Sequence, residues 1–272
     1  MTTATMTTMT AVTASSIAID ELTSTLTATS ITSKEHLQST PILTPKNDET
    51  VIFCDAGYGF PIEARPRKEK LLAVAKQIIQ FLKWQQQNSS HNNASCLVKV
   101  ITNNQLDQDA LQSRMEQLWK TETNNDIPHI SLPVEFHYNN NFNNAIYLSP
   151  DAPTVLNPKD PPPSSVVVGM IIDRRQVQRN RSLHRADSLQ QPTARLQLNA
   201  WNVPTHEPLN VDVVMETMQQ WWWNSTTTTT ANTTTANTNT HENPTTAYQN
   251  AVEQALQRHV QRHPNRPLHT TP

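Results

Sequence analysis

Val166-Val167-Val168-Gly169-Met170-Ile171-Ile172-Asp173 is the stretch that decides the fold. Up to Ile172 it is apolar apart from one glycine, as expected of a central parallel strand covered on both faces. The loop ending in Pro161-Pro162-Pro163 delivers it, and it closes on a carboxylate. Open α/β sheets place their ligands at the carboxyl ends of strands, so Asp173 is the first candidate for chemistry.

Working outward, strands and helices alternate. Val51-Ile52-Phe53-Cys54 is a short β-type run stopped by Asp55-Ala56-Gly57. Leu71, Leu72, Ala75, Ile78, Ile79 and Leu82 then recur at the spacing of one helix face. Leu97 to Ile101 reads as a second strand, and Leu111, Met115, Leu118 and Trp119 as a second helix capped by Asp107 or Asp109. Val134 to Tyr138 and Ala145 to Leu148 are further strands. After the central strand come a helix around Leu183 to Leu189 and a strand at Ala194-Arg195-Leu196. Helices from Leu209 to Trp223 and from Tyr248 to Arg262 close the pattern, the last ending before Pro264. Such alternation predicts an α/β fold with a mainly parallel sheet and helices on both faces.

Composition narrows the function. The chain has 272 residues and a formal net charge of −2, which excludes a uniformly basic coat but not a local basic face. Its two cysteines, Cys54 and Cys96, cannot build a disulfide framework or a four-cysteine zinc site. No apolar run approaches the roughly 20 residues needed to cross a bilayer, so no membrane partner is expected. Residues 1–49 are Thr-rich and acidic, without a single arginine. They fit neither a transit peptide nor a secretory signal, and are expected to be a disordered tail. The tract from Asn224 to Thr246 is again mostly Thr and Asn, and reads as a solvated insertion between two helices. Its Asn224-Ser225-Thr226 matches a glycosylation acceptor, a match of little weight without a secretory signal.

Several chemistries fall away. The three glycines, Gly57, Gly59 and Gly169, allow neither a dinucleotide fingerprint nor a phosphate-binding loop of the Walker type, and Gly57-Tyr58-Gly59 reads as a tight turn. His259 and His263 share a helix face but have no third ligand, so they read as basic surface and no metal is expected. Trp221, Trp222 and Trp223 point about 100° apart on a helix and cannot form one stacking platform; at least one belongs to the core.

Beyond Asp173 the balance of charge changes. Between 173 and 195, Arg174, Arg175, Arg179, Arg181, Arg185 and Arg195 face only Asp173 and Asp187. Arginine forks suit phosphate, and a carboxylate beside them suits an enzyme that modifies an RNA base. A solvated loop whose aspartate caps the next helix would show the same pattern.

The order of short motifs adds a resemblance. Val168-Gly169-Met170-Ile171-Ile172-Asp173-Arg174 resembles the G-G-[IL]-V-D-[RK]-N signature of the tRNA methyltransferase ten family, SPOUT-superfamily enzymes that methylate N1 of the purine at position nine of tRNA. Ile146-Tyr147-Leu148-Ser149 resembles that family's strand end, Thr193 to Leu198 its T-A-R-L-P-I segment, and Leu209 to Glu216 the opening of its next helix. Val51 to Asp55 and Lys76-Gln77 resemble the start of its catalytic domain, and Arg262 to Arg266 a degraded form of its end.

The resemblance implies a SPOUT domain over residues 50–266, with a C-terminal trefoil knot, followed by a short tail at 267–272. It implies S-adenosylmethionine as cofactor, held by Leu148, Gly169, Met170, Arg174, Arg195, Leu196, Gln197 and Leu198, with Leu209 and Asn210 behind. Asp173 would be the general base and Gln77 would hold a purine edge, while Arg175, Arg179, Arg181 and Arg185 grip tRNA. A monomer is expected, or a member of a tRNA-processing complex, in the nucleus or cytoplasm with the mitochondrion also open. The chain departs from the family at Met170, Arg175 and Gln197, where the motifs have glycine, asparagine and proline. Those departures motivate the alternative of a non-catalytic tRNA-binding or processing subunit, a ribonuclease P-like scaffold that keeps the knotted fold.

Overall fold

A computed structural model describes residues 49–89, 96–122, 131–139, 141–142, 144–171, 180–198, 201, 209–234 and 243–262. Six strands form one sheet: β1 (Val51–Asp55), β2 (Leu97–Ile101), β3 (Glu135–His137), β4 (Ile146–Leu148), β5 (Ser165–Gly169) and β6 (Thr193–Ala194). Their order is β3-β2-β1-β5-β4-β6, and every pairing is parallel. Among the described residues five helices accompany them: α1 (Ala64–Ser89), α2 (Gln105–Glu122), α3 (Arg181–Ser188), α4 (Val211–Thr234) and α5 (Pro244–Arg262), the last two following β6.

Side chains alternate across each strand, and the two faces are covered unequally. Ile52, Cys54, Val166 and Val168 enter a large core with α1, α2, α4 and α5. Phe53, Val167 and Tyr147 point the other way, into a small cluster with Phe142, Ala145 and Ala186 of α3. All three tryptophans of the 221–223 run are buried. α4 is packed by both α1 and α5 as well as by β5, so three successive directions all meet protein. Trp223 stacks on Trp84, Trp221 meets Tyr248 edge-on, and the Trp222 indole donates to the Pro163 carbonyl at 2.7 Å. Arg258 and Arg262 of α5 close this side by pairing with Glu216 and Asp212 of α4.

Several boundaries differ from the sequence reading. α1 starts seven residues before Leu71 and runs on to Ser89, because its polar ends carry no apolar stripe. α2 is capped by neither Asp107 nor Asp109. Asn104 Oδ1 accepts the Asp107 amide at 2.9 Å, and Asp107 accepts in return from Asn104 Nδ2 at 3.0 Å, a reciprocal cap. α4 continues into the Thr/Asn tract as far as Thr234, so the solvated insertion does not begin at Asn224. Asn224 itself sits inside that helix and donates to the Ala247 carbonyl at 3.1 Å, an engaged geometry for a glycan acceptor. β5 ends at Gly169, so Asp173 does not follow the strand directly.

β6 is flanked on both edges. Ser149 donates to Ala194 on the β4 side, while Arg195 donates to Thr154 and accepts from Leu156. A parallel bridge between Val155 and Arg195 marks that outer contact. The connection from β4 to β5 therefore passes from one edge of β6 to the other.

Cys54 and Cys96 are both buried and free. Burial, helped by the Asp55 charge at Cys54 and by Cys54 itself at Cys96, pushes both thiols far above their usual range. Iodoacetamide at neutral pH is expected to leave both unlabelled in the native protein and to label both in guanidinium; rapid native labelling of either would contradict this core.

Candidate functional site

The strand order reverses between β1 and β5. From β1 the chain goes outward to β2 and β3, and the remaining strands lie on the other side. A crevice at this switch point is where an open parallel sheet offers a ligand site. Asp55, the last residue of β1, is registered against Gly169, the last of β5.

Asp55 is fully buried and its carboxylate takes four hydrogen bonds. Oδ1 accepts from the Gly57 amide at 2.8 Å and from Arg185 Nη2 at 3.3 Å. Oδ2 accepts from the Tyr147 hydroxyl at 2.9 Å and from Arg185 Nε at 3.0 Å. Arg185 Nη2 also reaches Asn103 Oδ1 at 3.2 Å. Burial works against the Arg185 charge, but the Asp55 hydrogen bond and charge outweigh it and raise the guanidinium's affinity for its proton. Residues just after β1 and β2, a residue of β4 and one of α3 are thereby stapled together at one rim.

The hydroxyl chain has a defined direction. Tyr147 has one proton and spends it on Asp55, so in the 2.6 Å contact between the two tyrosine oxygens Tyr58 is the donor. Burial first, and the Asp55 charge after it, push both phenols above the usual tyrosine range, which keeps them neutral. Arg181 and Arg185 lie over the Tyr58 ring at 5.3 and 5.9 Å.

The glycines report the tightness of this rim. A Cβ on Gly57 would come 2.0 Å from Arg185 Nη2 and 2.7 Å from Asp55 Oδ1. Gly57→Ala is expected to lower stability by about 1–3 kcal/mol through that overpacking, read as a shift of the denaturant midpoint; an unchanged midpoint would show a pliable cluster. A Cβ on Gly169 would lie 2.7 Å from the Tyr58 hydroxyl and 3.1 Å from that of Tyr147. Gly169 thus makes room for two tyrosine oxygens of the chain itself. Gly57-Tyr58 forms the expected turn, and Gly59 follows with a φ of +71°.

The residues singled out from sequence are distributed as follows. Leu148 ends β4, Gly169 ends β5, and Arg195 to Leu198 follow β6, so these segments meet at the carboxyl ends of three adjacent strands. Met170 is buried in the main core and its amide donates to the Asp55 carbonyl at 2.9 Å. Arg195 Nη1 donates to the Ala152 carbonyl at 3.3 Å. A cleft of about 250 Å³ lies between Val155, Leu156 and Asn157 and the facing Arg195, Leu196 and Gln197. Asn210 stands just before α4, and its side-chain amide is 3.3 Å from His259 Nδ1. His259 is therefore buried and engaged, not part of a basic surface; His263 lies outside the described residues.

Arg185, expected to grip RNA, is turned inward onto Asp55. Gln77 lies mid-helix in α1, with its Oε1 buried and accepting no hydrogen bond from the described residues. Asp173, Arg174, Arg175 and Arg179 lie outside the described residues. Among the described residues no cluster of histidine, cysteine and carboxylate could hold a metal ion, and no helix is long and apolar enough to cross a membrane. Asp55, Tyr58, Asn103 and Tyr147 were not singled out as site residues from sequence. An aspartate at the end of an apolar strand was a visible signal, and the same rule that drew attention to Asp173 applies to Asp55.

No protein-family model matches the sequence, and no curated protein matches it. Solved structures do. The crystal structure of spTrm10(74) aligns with a TM-score of 0.50 at 12% identity, over 76% of this chain and 94% of that one. Full-length spTrm10 in complex with SAH gives 0.47 at 11% identity, over 76% and 95%. A dual-specific Trm10 from Thermococcus kodakaraensis gives 0.39 at 12% identity, over 62% and 89%. The likeness to spTrm10(74) is one of fold.

Proposed function

We propose that the chain is an S-adenosylmethionine-dependent tRNA methyltransferase acting on N1 of the purine at position nine, guanine foremost. One observation carries the reading. The three segments that the sequence resemblance assigns to the cofactor, at Leu148, at Gly169-Met170 and at Arg195 to Leu198, are far apart in the chain yet end three neighbouring strands. Sharing the fold of spTrm10(74), a chain named for the same family, adds to it.

The residues present fit the cofactor. Val155, Leu156 and Leu196 give a cleft wall apolar enough for an adenine, with Asn157 and Arg195 as polar groups at its edge. Met170, the side chain that replaces a family glycine, packs into the core and leaves the rim to backbone. Leu148 to Ser149, Gly169 to Met170 and Arg195 to Leu198 would hold it, with Leu209 and Asn210 behind; Arg174 completes the set from outside the described residues. When bound, S-adenosylmethionine supplies a methyl group on a sulfonium, already activated for transfer.

This chain's own task is placement and proton removal. Guanine N1 carries a proton at neutral pH, and Asp173 would accept it as the methyl carbon's bond to N1 replaces its bond to the sulfonium sulfur, which would leave as a neutral thioether. Gln77, whose Oε1 is buried without a hydrogen-bond donor among the described residues, would have to turn outward to meet a base edge. Arg181, with Arg175 and Arg179, holds phosphate, a contribution that weakens as salt rises. The chain from β4 to β5 running around β6 is the arrangement a trefoil knot would need.

Incubation with labelled S-adenosylmethionine and unmodified tRNA, followed by primer extension, tests the proposal. A stop appearing at the ninth nucleotide is expected; label without that stop would move the site, and no label would leave the scaffold alternative.

A further inference from the structure

Tyr248 of α5 reaches across to the segment after β6. The Tyr248 hydroxyl donates to the Gln197 carbonyl at 3.1 Å. Tyr248 is 1% exposed, and its ring is fixed by Trp221 at 4.7 Å, edge-on, and by Trp201 at 6.4 Å. Trp201 in turn donates its amide to the Leu198 carbonyl at 3.1 Å. The other end of the segment is held by Thr154 and Leu156, which bond the Arg195 backbone. Gln197 itself is exposed.

We propose that Tyr248 is a positioning residue: its hydroxyl fixes the Gln197 peptide, so that α5 sets how well Arg195 to Leu198 receive the adenosyl group. This deepens the methyltransferase reading and rests on it. The physical ground is pre-organisation. A rim held in its bound shape loses less freedom on binding than one that must be ordered by the ligand. The Asn224–Ala247 hydrogen bond anchors the start of α5 to α4 at the residue just before Tyr248, so the lever has a fixed base.

Tyr248→Phe keeps the ring packing and removes only the donor. Calorimetric titration with S-adenosylhomocysteine is expected to show affinity falling roughly five- to tenfold, about what one lost hydrogen bond gives. KM for S-adenosylmethionine should rise by the same factor with kcat at saturation unchanged, and amides of the 194–201 peptide should exchange faster. A role in folding alone would lower the melting temperature and leave affinity, KM and local exchange where they were, and that result overturns the inference. Equal affinity of both proteins overturns it while leaving the methyltransferase reading intact. No binding by the unsubstituted protein would sink that reading first.

Discussion

Asp55→Ala is expected to cost the fold about 3–5 kcal/mol, the range for breaking one partner out of a buried ion pair. The carboxylate is fully buried, and its removal strands four donors at once: the Gly57 amide, the Tyr147 hydroxyl and two arms of Arg185. The Arg185 side chain is 17% exposed, so water can rescue only part of its charge. Losing a contact would be minor beside leaving a cation without its counter-ion in a crevice. A double replacement, Asp55→Ala with Arg185→Met, should therefore cost less than the two single changes together. Equilibrium unfolding in guanidinium reads all three. A single-variant loss below about 1 kcal/mol would mean that solvent screens the pair.

Methyl transfer by Asp173→Asn should fall by about 10²–10⁴-fold, the usual worth of a positioned base. Asparagine has the same outline and hydrogen-bonding reach but cannot take a proton from guanine N1. Binding of S-adenosylhomocysteine and of tRNA should stay within about twofold, because neither depends on proton transfer. Asp55 is a poor competitor for the role. Asp55 is satisfied four times and sealed behind Tyr147 and Arg185, so it serves as the counter-ion that organises the site. Full activity in the Asp173→Asn protein, measured in single-turnover primer extension, would remove the base from that position.

What could be read in the chain, and what could not, follows from the range of the interactions. The strands were legible because Val51 to Cys54, Leu97 to Ile101 (apolar but for Lys99) and the run beginning at Val166 are short β-type stretches, a local signal. The ends of α1 were not, since Arg65, Arg67 and Lys68 at one end and Gln85 to Asn88 at the other have no periodic apolar face. α4 ran past Asn224 for a related reason: threonine is a weak helix former, but it propagates a helix already nucleated by a packed tryptophan run. The cap at Asn104 was hidden by two nearby aspartates with equal title to it. The strand end at Leu148 was legible, whereas the apolar run carried the reading of β5 on to Ile172 and that of β6 on to Leu196, past the ends at Gly169 and Ala194. The Asp55–Arg185 pair joins residues 130 positions apart, and only the placement of β5 and β4 beyond β1 brings α3 over that rim. Gly169 shows the limit well: the sequence marked it as a residue that would hold the cofactor, while the atoms crowding it, two tyrosine oxygens, come from the loop after β1 and from β4.

The most direct test is the structure of the protein crystallised with S-adenosylhomocysteine. Its adenosyl group should lie against Leu148-Ser149, Gly169-Met170 and Arg195 to Leu198, with the Asp173 carboxylate facing the sulfur across the space where a purine would enter. Ligand density confined elsewhere, such as the cleft between α2 and β3, or a saturated crystal with this rim empty, would contradict the assignment.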